Sequence, residues 1–309
     1  MVNLIDGKKI SEEILKNCKN EIDNLAKKFR KPSLVLITSF YDEASKIYVK
    51  KKEEACEYCN IDFKNINFEE NTPKMVVLEE IEKLNNDKNV DGIFIQVPVP
   101  NHLVDVGEFI KPTKDIDAFN IQNLGKTLFN NNTELDLMPC TCEGIIYLIE
   151  RINFDITGKH IVIIGRSNIV GKPLIGMLLR KNATVTSCNS YTKDLREITR
   201  TADILITAIG KANFIDSSYI SDKTDVIIDA GINRLNNKVC GDVDFNNIMT
   251  AWEDTNKNKY ITPVPGGVGP MTVAELINNV LKCYKYNLKK FEAIKWWLLW
   301  YILLEFKVD

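Results

Sequence analysis

At 309 residues the chain is long enough for two domains and a large core. Its 45% apolar and 27% charged composition is ordinary for a soluble globular protein, and a net charge of −2 excludes the basic footprint of nucleic-acid binding. Met1 to Gly7 reads as a short strand and turn, with no signal peptide before the first helix. Ile10, Ile14, Leu15, Cys18 and Ile22 lie at helix spacing and predict a helix over 8–30. A buried strand follows at Ser33–Phe40, then a helix at Ser45–Cys59, a strand at Phe63–Phe68 and a helix at Lys74–Asn85. Val90–Pro100 reads as a strand stopped by prolines, and Val106–Ile110 as a short helix. Strands alternating with helices imply a parallel sheet of α/β class.

From 112 to 141 the sequence turns polar and irregular, which marks a domain boundary. A helix at Glu143–Arg151 precedes a second alternating set with strands at Ile161–Ile164, Thr184–Ser187, Ile204–Ala208 and Val226–Ala230. The loop Ile261–Thr272 returns the chain to a helix at Val273–Tyr284. The nine uncharged residues Trp296–Leu304 are too few for the roughly 20 that span a bilayer. They read as a docked helix or a dimer contact, with peripheral membrane attachment as the alternative. Eight cysteines, including Cys56–Cys59 as CxxC and Cys140–Cys142 as CxC, have no second pair or histidine cluster at metal-ligand spacing. They are expected to be reduced thiols of a cytoplasmic protein that holds no metal.

Five segments can carry chemistry. In His160–Arg180 a β-branched run meets Gly165, crosses a polar turn and enters a helix near Lys172, so unpaired N–H groups and a positive helix end face a strand end and favour an anion. Arg166 can fork two donors onto a phosphate, and an arginine near the ribose accommodates a 2′-phosphate, which argues for NADP. The alternative is a ligand-free turn with a surface arginine. Tyr48 and Lys52 stand at i and i+4 and share a helix face, either as a ring beside an amine that burial turns into a base or as a solvated surface pair. Gln96 falls at the C-terminal end of a strand, where open α/β sheets bind ligands, or simply caps it. Asp115 and Asp117, two apart, would lie on one side of an extended segment and accept N–H groups from an aminopyrimidine, or serve as turn or capping aspartates. Three glycines and three prolines in PVPGGVGP make a rigid turn that a flat ligand can approach closely.

Together SKIYVKKK, DGIFIQVPVP, PTKDIDAF, MPCTCEG, VIIGRSNIVGKP, ATVTSCNS, DAGINR and PVPGGVGPMT occur in the order found in one family. From about residue 2 to 285 the chain resembles the bifunctional methylenetetrahydrofolate dehydrogenase/cyclohydrolases of the bacterial FolD type. The resemblance implies two domains, an N-terminal α/β folate domain (1–118 with about 270–309) and a C-terminal Rossmann-type NADP-binding domain (119–269), with a deep interdomain cleft. It implies oxidation of methylenetetrahydrofolate with NADP⁺ and hydrolysis of the methenyl product, tetrahydrofolate derivatives as partners, a cytoplasmic homodimer, and no membrane span. The family's catalytic lysine falls on Lys52, its tyrosine on Tyr48, its glutamine on Gln96 and its pterin-binding aspartate on Asp117. The cofactor turn falls on Gly165, Arg166 and Ser167, with Ser190 joining Arg166 on the 2′-phosphate. Ile232 falls where the backbone meets the nicotinamide side, and Pro265, Gly266 and Gly267 border the folate. A lysine with an ordinary pKa of about 10.4 must be lowered by burial and a cationic substrate to act as a base near neutrality. The rivals are a monofunctional NADP dehydrogenase, a shikimate-type dehydrogenase and a non-catalytic NADP-binding protein.

The sequence departs from the family at four places. Ala118 replaces a glycine, and an alanine there is strained if the position needs positive φ. Asn120–Ile121 replaces His–Pro, Asn189 replaces a histidine, and Cys142 replaces a proline expected to stiffen an interdomain strand.

Overall fold

The structure, a computed structural model, describes residues 1–39, 43–129, 134–236 and 238–305, without the side chains of 43–45 and 293–305. The chain begins with β1 (Val2–Leu4), α1 (Gly7–Leu25), β2 (Ser33–Thr38), α2 (Glu43–Tyr58), β3 (Asp62–Asn67), α3 (Lys74–Asn86) and β4 (Gly92–Ile95). It continues through α4 (Ile121–Lys126), α5 (Cys140–Arg151), β5 (His160–Ile164), α6 (Gly171–Arg180), β6 (Thr184–Cys188), α7 (Leu195–Thr199) and β7 (Ile204–Thr207). The last elements are β8 (Val226–Asp229), the hairpin of β9 (Asn233–Leu235) and β10 (Lys238–Cys240), α8 (Phe245–Ala251), β11 (Lys259–Ile261) and α9 (Val268–Glu305). By packing, one unit comprises Met1–Asn17, Ile121–Asn131 and Met138–Leu276, and the other Cys18–Asn120, Asn132–Leu137 and Ile277–Asp309.

The second of these units holds a parallel sheet in the order β3-β2-β4. β2 is an unbroken apolar run because a central parallel strand is covered on both faces. Val77, Ile81 and Leu84 of α3 cover it, packing with Val35, Ile37 and Ile93. The β4 ladder stops at Ile95, opposite Ile37, well short of the expected Val90–Pro100, because Pro98 and Pro100 have no N–H to extend it. The start of β4 is fixed by Asp91, a buried carboxylate held by both terminal nitrogens of Arg30 at 2.6 and 2.8 Å.

The other unit holds a parallel six-stranded sheet, β1-β11-β8-β7-β5-β6. The strand order reverses at β5, which has β6 on one side and β7 on the other, and such a reversal opens a ligand crevice at the C-terminal strand ends. β1 joins this sheet, in contrast to the expected 1–118 grouping, because Val2–Leu4 hydrogen-bonds in register with Lys259–Ile261.

Other boundaries also differ. α1 ends at Leu25 rather than 30, with Pro32 disfavouring helix just ahead. The irregular region 112–141 contains α4. α5 starts at Cys140, after Pro139, so Cys142 lies in a helix and not in a connecting strand. α9 is far longer than Val273–Tyr284, running to Glu305. Phe40, the expected end of the second strand, lies outside the described residues, as do the side chains of Trp296–Leu304 and with them the docking expected of that stretch.

Candidate active site

The period of α2 sets Tyr48 one turn before Lys52. Lys52 is only 6% exposed. Its Nζ donates to Gln96 Oε1 at 2.6 Å and lies 4.2 Å from the centre of the Phe94 ring. Gln96 Nε2 donates to Val97 O at 2.7 Å, so the amide turns its oxygen toward the amine. The backbone N–H of Gln96 donates to Ile37 O, holding the residue at the strand end. Phe94, two residues before Gln96 on the same strand face, was not anticipated, although period-2 alternation carries the signal. Tyr48 is half-buried, and burial raises its hydroxyl pKa above the ordinary value. The group combines a desolvated amine, a neutral acceptor and aromatic surface, which suits proton transfer beside a flat ligand.

The expectation of an extended Asp115–Asp117 pair is corrected. The segment is a turn in which Asp115 is buried and accepts the Asn120 N–H at 2.7 Å, while Asp117 is half-buried. Asn279 of α9 donates to Ile116 O at 2.9 Å and fixes the turn from behind. Ala118 adopts φ 59°, the left-handed conformation in which an L-residue is strained. Asp115 is thus a turn-forming residue, and Asp117 is left as the candidate ligand group.

In the other unit, Gly165 follows β5 with φ 140°, and a Cβ there would lie 2.5 Å from Ala208 O. Only glycine fits between these strand ends. Arg166 and Ser167 are exposed in the turn that follows. Ser167 Oγ accepts the Val170 N–H at 3.1 Å, tying the turn to the residue just before α6. The Arg166 guanidinium lies 5.1 Å from the centre of the Tyr191 ring, and Ser190, the residue before that tyrosine, is exposed. Tyr191 was missed by sequence reasoning, because a lone exposed tyrosine has no periodic signal. The Cys142 thiol donates to Val170 O at 3.4 Å, tying α5 to this turn. Ile232 is 50% exposed at the exit of β8. In the loop before α9, Pro265 is exposed, Gly267 is buried, and Gly266 O accepts the Lys8 N–H at 2.9 Å. The glycine cradle, the adjacent exposed guanidinium and the switch-point position fit a phosphorylated dinucleotide.

Burial pushes the Cys56 thiol up to about 12 and Cys59 up to about 11, so both stay protonated and unreactive. Among the described residues no cluster of His, Cys, Asp or Glu could hold a metal ion, and no helix is long and apolar enough to cross a membrane.

The chain matches two family descriptions: tetrahydrofolate dehydrogenase/cyclohydrolase, catalytic domain, over residues 5–117, and its NAD(P)-binding domain over residues 139–288. It is 47% identical over 288 residues to the bifunctional protein FolD of Agathobacter rectalis, covering 92% of this chain and 100% of the relative. Among solved structures, the bifunctional FolD methylenetetrahydrofolate dehydrogenase/cyclohydrolase of Campylobacter jejuni is 39% identical, with a TM-score of 0.87 over 93% of this chain and 99% of the other. The FolD of Trypanosoma brucei, complexed with NADP cofactor and inhibitor, is 29% identical, with a TM-score of 0.85 over 93% of this chain and 98% of the other.

Proposed function

The chain belongs to the tetrahydrofolate dehydrogenase/cyclohydrolase family, and from that premise we propose how its own residues divide the work. It oxidises 5,10-methylenetetrahydrofolate to 5,10-methenyltetrahydrofolate with NADP⁺ and hydrolyses the latter to 10-formyltetrahydrofolate. In our reading the unit carrying Lys52 performs the folate chemistry and the unit carrying Arg166 binds the cofactor.

When bound, NADP⁺ supplies the hydride acceptor. Arg166 and Ser190 would hold its 2′-phosphate, Gly165 and Ser167 would shape the turn that receives its phosphates, and the backbone at Ile232 would meet the nicotinamide side. On the folate, Asp117 accepts the pterin N–H groups and Tyr48 lies against the ring. Hydrolysis adds water to the methenyl carbon and breaks one of its C–N bonds. A proton leaves the water and one reaches the departing nitrogen, and Lys52 carries that traffic. Gln96 orients the amine through the Nζ–Oε1 hydrogen bond. The observation that carries this reading is the buried Lys52 Nζ held at 2.6 Å by a neutral amide oxygen. The enzyme acts in the cytoplasm, whose reducing conditions suit its eight cysteines, and works as a homodimer.

One assay tests the reading. Methylenetetrahydrofolate and NADP⁺ should give NADPH together with a methenyl absorbance that then decays. NADPH with a methenyl signal that persists no less than in buffer would leave only the dehydrogenase. No NADPH at all would overturn the reading. Light scattering should give twice the chain mass.

A further inference from the structure

We propose that Asp242 is a positioning residue for the cofactor, a carboxylate that fastens the loop leaving β7 to the loop leaving β8. The inference rests on the reading that the backbone at Ile232 meets the nicotinamide side. Asp242 is fully buried just after the β9–β10 hairpin. Its Oδ2 accepts the N–H groups of Ile209 at 2.7 Å and Gly210 at 3.3 Å, and its Oδ1 accepts the Lys211 N–H at 2.8 Å and Asn233 Nδ2 at 2.9 Å. An ionised carboxylate is acceptor-only with about four lone-pair sites, so the four donors use its capacity in full.

Three of those donors are successive backbone groups at the end of β7, and the fourth belongs to the residue that follows Ile232. Both loops lie at C-terminal strand ends, where sheets of this class bind ligands. Contact with the second loop is close: a Cβ on Gly231 would lie 2.2 Å from Asp242 Cγ, so only glycine lets the chain pass. Asp242 is itself pinned, because Asp229 at the end of β8 accepts its backbone N–H at 3.1 Å and those of Val243 and Gly231 at 2.9 Å. Asp242 therefore acts through Ile209–Lys211 and Ile232–Asn233, whose placement it sets.

The test uses the full chain carrying Asp242→Asn, which keeps the shape but turns an NH₂ toward N–H donors, and Asn233→Ala, which removes a single donor and leaves the fold's backbone bonds intact. Asp242→Asn should raise KM for NADP⁺ about tenfold or more, and Asn233→Ala about threefold. Hydrolysis of preformed methenyltetrahydrofolate, which needs no cofactor, should stay within about twofold of wild type in both. An unchanged KM in Asn233→Ala and in any folded Asp242→Asn would overturn the proposal, as would hydrolysis that falls in step with oxidation. Calorimetric titration with NADP⁺ reads the same effect without turnover. If wild-type protein binds NADP⁺ yet oxidises nothing, the functional reading fails, and the calorimetric comparison of variants still decides the role of Asp242.

Discussion

Lys52 and Arg166, the cations to which the proposed function gives a role in each unit, are kept in opposite ways. Lys52 is 6% exposed, against the Phe94 ring and the Gln96 amide. Arg166 stands in solvent over the Tyr191 ring. A guanidinium that only has to attract a phosphate loses nothing by being hydrated until the ligand arrives, since its charge is fixed at any working pH. An amine that must exchange protons is useful only where its surroundings are dry and fixed. In the proposed function, burial thus separates the charge that would react from the charge that would bind.

The sharpest way to break that contrast is Lys52→Met, which keeps the apolar stem and deletes the proton carrier. Hydrolysis should slow about 10²–10⁴-fold, and hydride transfer should suffer less. Full hydrolysis in this variant would remove Lys52 from the chemistry. Burial should also show in stability. Desolvation raises the Asp229 pKa from 3.8 to about 6, chiefly because the carboxyl is buried. A raised folded-state value means a stabilising contribution that is fully present below pH 3.8 and is lost as pH rises through 6. Wild type should therefore gain on the order of 3 kcal/mol relative to Asp229→Asn as pH falls across that window, read by denaturant titration. A pH-independent difference would mean that the N–H donors around Asp229 hold it ionised.

The exposed cation predicts a different pattern. Arg166→Ala should raise KM for NADP⁺ about ten- to a hundredfold and leave NAD⁺ nearly unaffected, with a wild-type preference that shrinks in high salt. Equal losses for both cofactors would assign Arg166 another task. The smallest effect concerns Asp117, whose neighbour Ala118 holds φ 59°. Ala118→Gly should stabilise the fold by about 1 kcal/mol by removing left-handed strain. A fall in melting temperature would show that the buried methyl contributes more than the strain costs.

Local pattern carried much of this site. The strand–turn–helix at 160–180, the i,i+4 spacing of Tyr48 and Lys52, and Gln96 at a strand end all reflect periods of two or 3.6 that sequence displays directly. Other features depend on information that no period carries. The sign of φ at Ala118 bends a segment whose spacing reads as extended. Asp242 finds its donors at 209–211 and 233, and β1 finds its partner at 259–261, through tertiary register alone. Cys142 was read against a proline in a strand, whereas the helix start at Pro139 gives its thiol a carbonyl to meet.

The pairing of β1 with β11 has a consequence for biosynthesis. Val2–Leu4 leaves the ribosome well before its partner Lys259–Ile261, which follows only after about ten to fifty seconds at ordinary elongation rates. Until then the opening residues have no seat, and the growing sheet ends at β8. A nascent chain that stalls or is cut before Lys259 leaves that edge bare, a template for pairing with another copy.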